Sequence, residues 1–329
     1  MRWPIRILPV VLLCLTSAVS HAAVHLVLEV DVGRLNHQRF ADTAGAIRSQ
    51  LRLSRVAYGD MREDADGVSV RIADPAKMDS AAAALAEIDD PLSASGKKIQ
   101  HYAVSQDGPG EIHVRLRDAD SPDIHEESLD LAATALRARL EALGIKDAAV
   151  RRMKGNRIAV EVANVGYRAR LNTLLDKPTL SMRLVDDTVK DANAQPGIEL
   201  LEQWPSNASR GPLAVYKRAF LGGDDIGGAR NVIEKYLQTD AVLLSLTAEG
   251  AKAFAGASKA QVGRRIAIVL DGKVVSAPVV EMPILDGRMQ ISGLFTRDEA
   301  VLLAFEIAAS ADGWPFAILG RATTGQRGL

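Results

Sequence analysis

The sequence predicts an α+β protein built in two parts, and three observations predict it. Short β-branched runs with period two alternate with apolar stripes at helical spacing. A polar, proline-bearing, unperiodic stretch at 186–211 divides the chain. Beyond it, two Asp-Gly pairs stand where tight hairpin turns are needed.

The elements follow in order. Val24 to Val30 is β-branched and apolar and predicts a strand. Phe40, Ala44, Ile47 and Leu51 share one helical face. Val68 to Ile72 alternates as a half-buried strand does. Asp79 is placed to cap an alanine-rich helix through Leu85 and Ile88, and His101 to Val104 closes the unit as a short strand. Strand, helix, strand, strand, helix, strand is the order of a ferredoxin-like unit. That order then repeats. Glu111 to Leu116 predicts a strand, and Leu129, Ala132, Ala133, Leu136, Leu140 and Leu143 a helix, with Gly144 just past its end. Ala149 to Met153 and Arg157 to Val162 flank Lys154-Gly155-Asn156, a hairpin turn. A helix at Arg168 to Leu175 and a strand at Thr179 to Val185 complete it.

After the polar stretch comes a second α+β part. Val242 to Leu246 predicts a strand and Ala248 to Ala260 a helix with Phe254 on its apolar side. Asp271-Gly272 joins Ile266–Leu270 to Val274–Ser276, and Asp286-Gly287 precedes Met289–Ser292. Thr296 and Glu299 form a capping box opening a helix through Ile307. Asp312-Gly313-Trp314-Pro315 ends that helix and releases a last strand, Phe316 to Leu319.

The N-terminus reads as an export signal. Arg2 and Arg6 precede an apolar run from Ile7 to Val19, shorter than the ~20 residues that span a bilayer. Ser20-His21-Ala22 fits the small-x-small rule, so cleavage is expected between Ala22 and Ala23. Removing residues 1–22 leaves 38 basic against 41 acidic residues, a net charge of −3. That balance argues against nucleic acid, which selects a strongly basic face. Cys14, the one cysteine, lies in the leader, so the mature chain carries neither disulfide nor thiol nucleophile.

No residue pattern predicts catalysis or a cofactor. Leu221-Gly222-Gly223-Asp224-Asp225-Ile226-Gly227-Gly228 is glycine-rich, but its aspartates repel phosphate and no Gly-Lys-Ser/Thr follows. It reads as a tight turn with acidic capping of a following helix. His101, His113 and His125, with Asp118, Asp120 and Asp123, lack metal-ligand spacing, and no Gly-x-Ser-x-Gly element is present. Asp89-Asp90 and Asp186-Asp187 sit in polar loop context. The segment Val274, Ser276, Pro278, Val280 looks like an edge strand, because proline cannot donate to a ladder. It is either a polypeptide-binding edge or an edge that Pro278 guards against aggregation.

Several segments in order resemble the SecD family, specifically its first periplasmic domain. They are VHLVLEVD at 24–31, LRARLEALGIKDAAVRRMKGNRIAVEVANV at 136–165, TLSMRLV at 179–185, the GGDDIGGA loop at 222–229, and above all 240–300. The resemblance implies a ferredoxin-like base at 23–187, an α+β head at 188–311 and a return segment at 312–329 that rejoins the base. It implies a periplasmic accessory of Sec-dependent export, held at the inner membrane, that binds or hands on translocating polypeptide. Its implied partners are exported preproteins, SecF and the SecYEG translocon. The family's glycine-rich element before the first strand is missing, Gln326 follows Gly325 where the family has proline, and no hydrophobic span follows before Leu329. Without the family's membrane bundle, proton coupling is expected to come from a partner. The alternative is a diverged paralogue, a periplasmic binding or scaffold module unrelated to Sec. Asp186 and Asp187 on one crossing, and Asp312, Gly313, Trp314 and Pro315 on the other, are the expected hinge on which the head swings.

Overall fold

A computed structural model describes residues 23–64, 67–88, 99–189, 196–204, 211–234 and 239–324. The expected cleavage position Ala22, the pair Asp89-Asp90 and the Gly325-Gln326 departure lie outside them. The fold is α+β, and its base is ferredoxin-like, though not assembled from neighbouring segments. Strand β1 (Ala23–Val30) is followed far along the chain by helix α4 (Pro122–Ala142), the hairpin β6 (Ala148–Arg152) and β7 (Arg157–Val162), helix α7 (Arg297–Asp312) and strand β16 (Phe316–Thr324). The sheet order is β16-β1-β7-β6, all antiparallel. Val24 faces Val162 on one side and Thr323 on the other.

The strand expected to pair within 24–104 therefore pairs with segments that come much later. The last described strand, β16, pairs antiparallel with β1. The cause is burial: Val24, Leu26, Leu28 and Val30 share one core with Leu136 and Leu140 of α4 and Val301 and Phe305 of α7. A strand's partners are those that complete its apolar face, and insertions at its ends are tolerated.

The first insertion carries α1 (Val32–Arg39), α2 (Thr43–Leu53), β2 (Tyr58–Glu63), β3 (Val68–Ile72), α3 (Met78–Ala86), β4 (Tyr102–Gly108) and β5 (Glu111–Leu116). Its sheet runs β2-β3-β5-β4, and its own core holds Ile47, Leu51, Val70, Leu85, Ile112 and Val114. Both α1 and β2 lack the expected periodicity; β2 forms because β3 offers it a hairpin partner. Asp79 sits inside the first turn of α3 rather than capping it. The cap is Asp74, which accepts from the Ala76 N–H (3.0 Å) and opens a 3-10 turn at Pro75–Lys77. A short helix, α5 (Arg168–Asn172), then leads to the second insertion.

That insertion, the head, has two sheets. One contains β8 (Leu180–Val185), β9 (Ile198–Leu201), β10 (Leu213–Gly222), β13 (Ile266–Leu270) and β14 (Lys273–Ser276), in the order β14-β13-β8-β10-β9. The other is β11 (Ile226–Ile233), β12 (Asp240–Leu246) and β15 (Arg288–Phe295), with α6 (Ala248–Ala260) beside it. Asp271 and Gly272 both take positive φ (46° and 76°), as a two-residue hairpin turn demands. Because β8 pairs with β10 and β13, residues 180–185 belong to the head sheet. The division expected at 187/188 falls instead between α5 and β8.

Helix α7 is the joint between base and head. Thr296 and Glu299 form the expected capping box, and the helix is buried continuously from Ala300 to Ser310. Val301, Leu302, Phe305 and Ala309 pack into the base core. Ala300, Leu303, Ala304, Ile307 and Ala308 pack into the head core. A helix that is apolar all round is buried on every side. Among the described residues, no helix is long and apolar enough to cross a membrane.

Candidate functional site

The head holds an apolar groove of about 280 Å³. Its floor is Met182 of β8, Ile266 and Ile268 of β13, Phe254 of α6 and Ile291 of β15. Its wall is the segment after β14, carrying Pro278, Val280, Met282 and Ile284. That wall is anchored where the Ile284 N–H donates to Ser258 Oγ of α6 (3.0 Å). Among its lining residues, Val279 and Met282 are 52% and 69% exposed. Large apolar side chains gathered at one opening mark a binding surface rather than scattered surface residues. Unbranched, polarizable methionine lets such a surface adapt to different occupants.

The rim is tied to the first insertion. Asp286 pairs with Arg52 of α2 (3.1 Å), and Arg288 pairs with Asp42 at the start of α2 (3.5 Å). Glu281, which also lines the groove, has no ion-pair partner among the described residues.

Three of the four expected edge residues, Ser276, Pro278 and Val280, line this groove. Val274 does not; it is buried on the opposite face of the sheet with Val185, Val215 and Val269. The edge itself is not open. The Val274 N–H donates to the Glu202 carbonyl (2.8 Å), and the Val274 carbonyl accepts from the Trp204 N–H (2.8 Å). The Pro278 carbonyl accepts from Ile266, and Val280 exchanges bonds with Gly263 and Arg264. β14 does end the sheet order as an edge strand, but it stops at Ser276, and Glu202 to Trp204 cover it at Val274.

The expected hinge residues are also held. Asp186 accepts from the Thr188 N–H and hydroxyl (3.0 and 2.6 Å) and from the Tyr216 hydroxyl (3.0 Å), bonds that keep its carboxyl below the usual range. Asp187 pairs with Arg265. Both lie inside the head rather than at its crossing to the base. At the second crossing, Arg34 donates to the Asp312 and Gly313 carbonyls, and Asp31 donates to the Pro315 carbonyl (3.0 Å). Gly313 takes φ 82°, a helix-ending conformation that suits glycine. Trp314 is buried, donates from Nε1 to the Asp176 carbonyl (3.0 Å) and lies under the Arg139 guanidinium. Four residues so bonded form a clamp.

Beside the clamp, Arg139 of α4 pairs with Glu306 of α7 (2.7 Å) and lies 3.8 Å from Asp271 of the head. Burial pushes the Glu306 carboxyl up to about 7 against the pull of Arg139. A second buried polar cluster joins base, first insertion and head. Glu127 of α4 accepts from Arg39 (3.0 Å) and pairs with His101 (2.7 Å). Burial acts to raise Glu127, but Arg39 and His101 outweigh it and hold the carboxyl at about 2. Phe40 stacks on His101 and lies 5.0 Å from the guanidinium carbons of both Arg39 and Arg230. This cluster had no sequence signature, since its members come from α1, α4, β11 and the turn before β4.

The glycine-rich loop forms a 3-10 turn, with Asp225 accepting from the Gly222 N–H (2.8 Å), but it enters strand β11 and not a helix. Its glycines serve close approach: a Cβ on Gly223 would meet the Ser310 carbonyl at 2.3 Å, and one on Gly228 the Gln38 carbonyl at 2.2 Å. His113 bonds Ser69 (3.0 Å), whereas His125 stands on α4. Among the described residues, no three His, Cys, Asp or Glu side chains gather as a metal site.

Comparisons with known proteins fit this arrangement. The family model described as SecDF, P1 head subdomain, matches residues 199–311. The protein translocase subunit SecD of Acetobacter pasteurianus is 29% identical over 305 residues, covering 92% of this chain and 57% of that protein. SecD of Magnetococcus marinus is 29% identical over 315 residues, covering 92% and 58%. The chain thus spans a little over half the length of these relatives. The crystal structure of Thermus thermophilus SecDF, a translocon-associated membrane protein, aligns at 26% identity and a TM-score of 0.39, covering 59% of this chain and 28% of that one. From the head match at 199–311 and from relatives aligned along 92% of its length, the chain is similar to SecD proteins over the region of their first periplasmic domain.

Proposed function

We propose that this chain serves Sec-dependent protein export by binding translocating polypeptide in the head groove, in the periplasm beside the inner membrane. The observation that carries the reading is the groove: an apolar cavity lined by exposed Val279 and Met282, in the part of the chain that matches the SecDF head. The relatives, named as translocase subunits, support the pathway. Exported preproteins, SecF and the SecYEG translocon are the partners this reading implies. The work is binding, not catalysis, and the groove needs no cofactor for it.

The head acts in its docked position rather than by swinging. Rotation about 312–315 would strip Leu303 and Ile307 of α7 from the head core. Exposing side chains of this size costs roughly 1.5–3 kcal/mol each. The test is a photo-crosslinking amino acid at Met282, with a control on the far side of the sheet at Leu200. Crosslinks to exported precursors from Met282 alone support the reading. Crosslinks from neither position, with normal export of Sec substrates in a deletion strain, leave the alternative of a binding module outside the Sec pathway.

A further inference from the structure

We infer, resting on the polypeptide-binding reading above, that the groove takes its occupant as an added strand. An extended segment pairs with the open edge of β15 and sends every second side chain, large and apolar, onto the groove floor.

Among the described residues, β15 ends the sheet order β11-β12-β15 and pairs with β12 alone. The ladder fixes which of its main-chain groups are open. The Leu246 N–H donates to the Gly287 carbonyl (2.9 Å), and the register then runs unshifted from Ser245↔Arg288 to Ala241↔Ser292. Bonded and non-bonded pairs alternate along an antiparallel ladder. Met289 and Ile291 therefore bond β12, while Arg288, Gln290 and Ser292 turn their main-chain groups to the other side. There the Arg288 N–H is taken by Asp286 Oδ1 (3.4 Å). The Arg288 carbonyl, both main-chain groups of Gln290 and the Ser292 N–H have no hydrogen-bond partner among the described residues. Such a row is a template for another strand.

The groove meets this open side. Arg288 to Ile291 line it, and no residue of β12 does. The side chains of β15 then set the pattern of the occupant. Ile291 is buried in the head core with Met182, Phe254 and Ile268, and Met289 packs against that core, whereas Gln290 and Ser292 are exposed. An added strand shares this alternation. Its residues beside Met289 and Ile291 face the apolar floor, and those beside Gln290 and Ser292 face water. The lining carries one acid and one base, Glu281 and Arg288, so charge does not choose the occupant. Main-chain pairing and apolar alternation do. A helix, whose N–H and carbonyl groups are already paired, cannot use the edge.

The experiment uses the full chain and labelled peptides with leucine at alternating positions and serine between, read by fluorescence anisotropy. Ester replacement of single amides removes one N–H at a time, and each lost main-chain bond weakens binding roughly 2- to 12-fold. Sensitivity with a period of two residues is the expected result. Sensitive serine amides report an antiparallel segment, and sensitive leucine amides a parallel one. Gln290→Pro removes an N–H that β12 does not use, at a position an edge strand tolerates. It is expected to melt as wild type does and to lose about 10-fold or more in affinity. If this variant fails to fold, the ester scan alone decides. A flat ester scan with binding retained overturns the inference and leaves polypeptide binding intact. So does a periodic scan with a folded Gln290→Pro chain that binds normally, because the strand then adds elsewhere. A dimer in solution that Gln290→Pro dissolves assigns the edge to a second copy and also overturns it. Absence of binding by every peptide overturns the inference and the functional reading together.

Discussion

At the scale of single residues, the two buried glutamates make opposite contributions to stability as pH changes. Glu127 is held at about 2, below the 4.5 of an unfolded chain, so its contribution is complete above pH 4.5 and is lost as pH falls toward 2. The size is on the order of 3 kcal/mol. Glu306 is raised to about 7, so the folded state keeps a proton that the unfolded chain releases between pH 4.5 and 7. Its contribution grows as pH falls through that window. The two together predict maximum stability near pH 5. Urea denaturation from pH 8 to 3 checks this: Glu306→Gln removes the gain on acidification below pH 7, and Glu127→Gln removes the loss below 4.5. Unchanged profiles in both variants contradict the assignment. Gly228→Ala tests a different contact. Its Cβ would lie 2.2 Å from the Gln38 carbonyl, between two backbones that have no side chain to yield. A destabilisation of roughly 1–3 kcal/mol is expected, as for other overpacked sites.

At the scale of the element, α7 decides how the parts are joined. Its capping box was legible because Thr296 and Glu299 satisfy the first turn's orphan N–H groups from within four residues. Thr296→Ala is expected to cost about 1 kcal/mol. Because the helix fills two cores, that loss appears in the melting of the whole chain and not of one part; separate transitions by calorimetry would contradict it. Strand β14 teaches the converse. Pro278 pointed to an edge, but what closes that edge is Glu202–Trp204, more than sixty residues earlier in sequence. No local pattern encodes such a contact.

At the scale of the molecule, base, first insertion and head share a continuous set of contacts. The Phe40 cluster, the Arg288–Asp42 pair, the Trp314 clamp and α7 each bridge two or more of them. Amide hydrogen exchange should therefore show Val301 to Ser310 opening with the most protected strands of both base and head. Faster exchange confined to the head-facing residues of α7 would reveal undocking, and with it a swinging head. The second break, Asp312 to Pro315, was visible in the sequence, and there the chain is bonded by Arg34, Asp31 and Asp176. Loop composition reports a lack of periodicity and not freedom to move.

The sequence by itself determined the class of the fold, most of its elements, the Asp-Gly turns, the capping box and the family resemblance. Each depends on residues near one another, through side-chain periodicity, turn chemistry or the order of segments. The tertiary structure alone decided that β1 lies between β7 and β16, that β8 belongs to the head, and that α7 serves two cores. It alone gathered Met182, Phe254, Val280, Met282 and Ile291 around one groove. Pairing and cavities depend on which apolar faces complete one another across long loops. Closing a longer loop costs only slightly more than closing a short one, so sequence distance leaves that choice open and burial makes it.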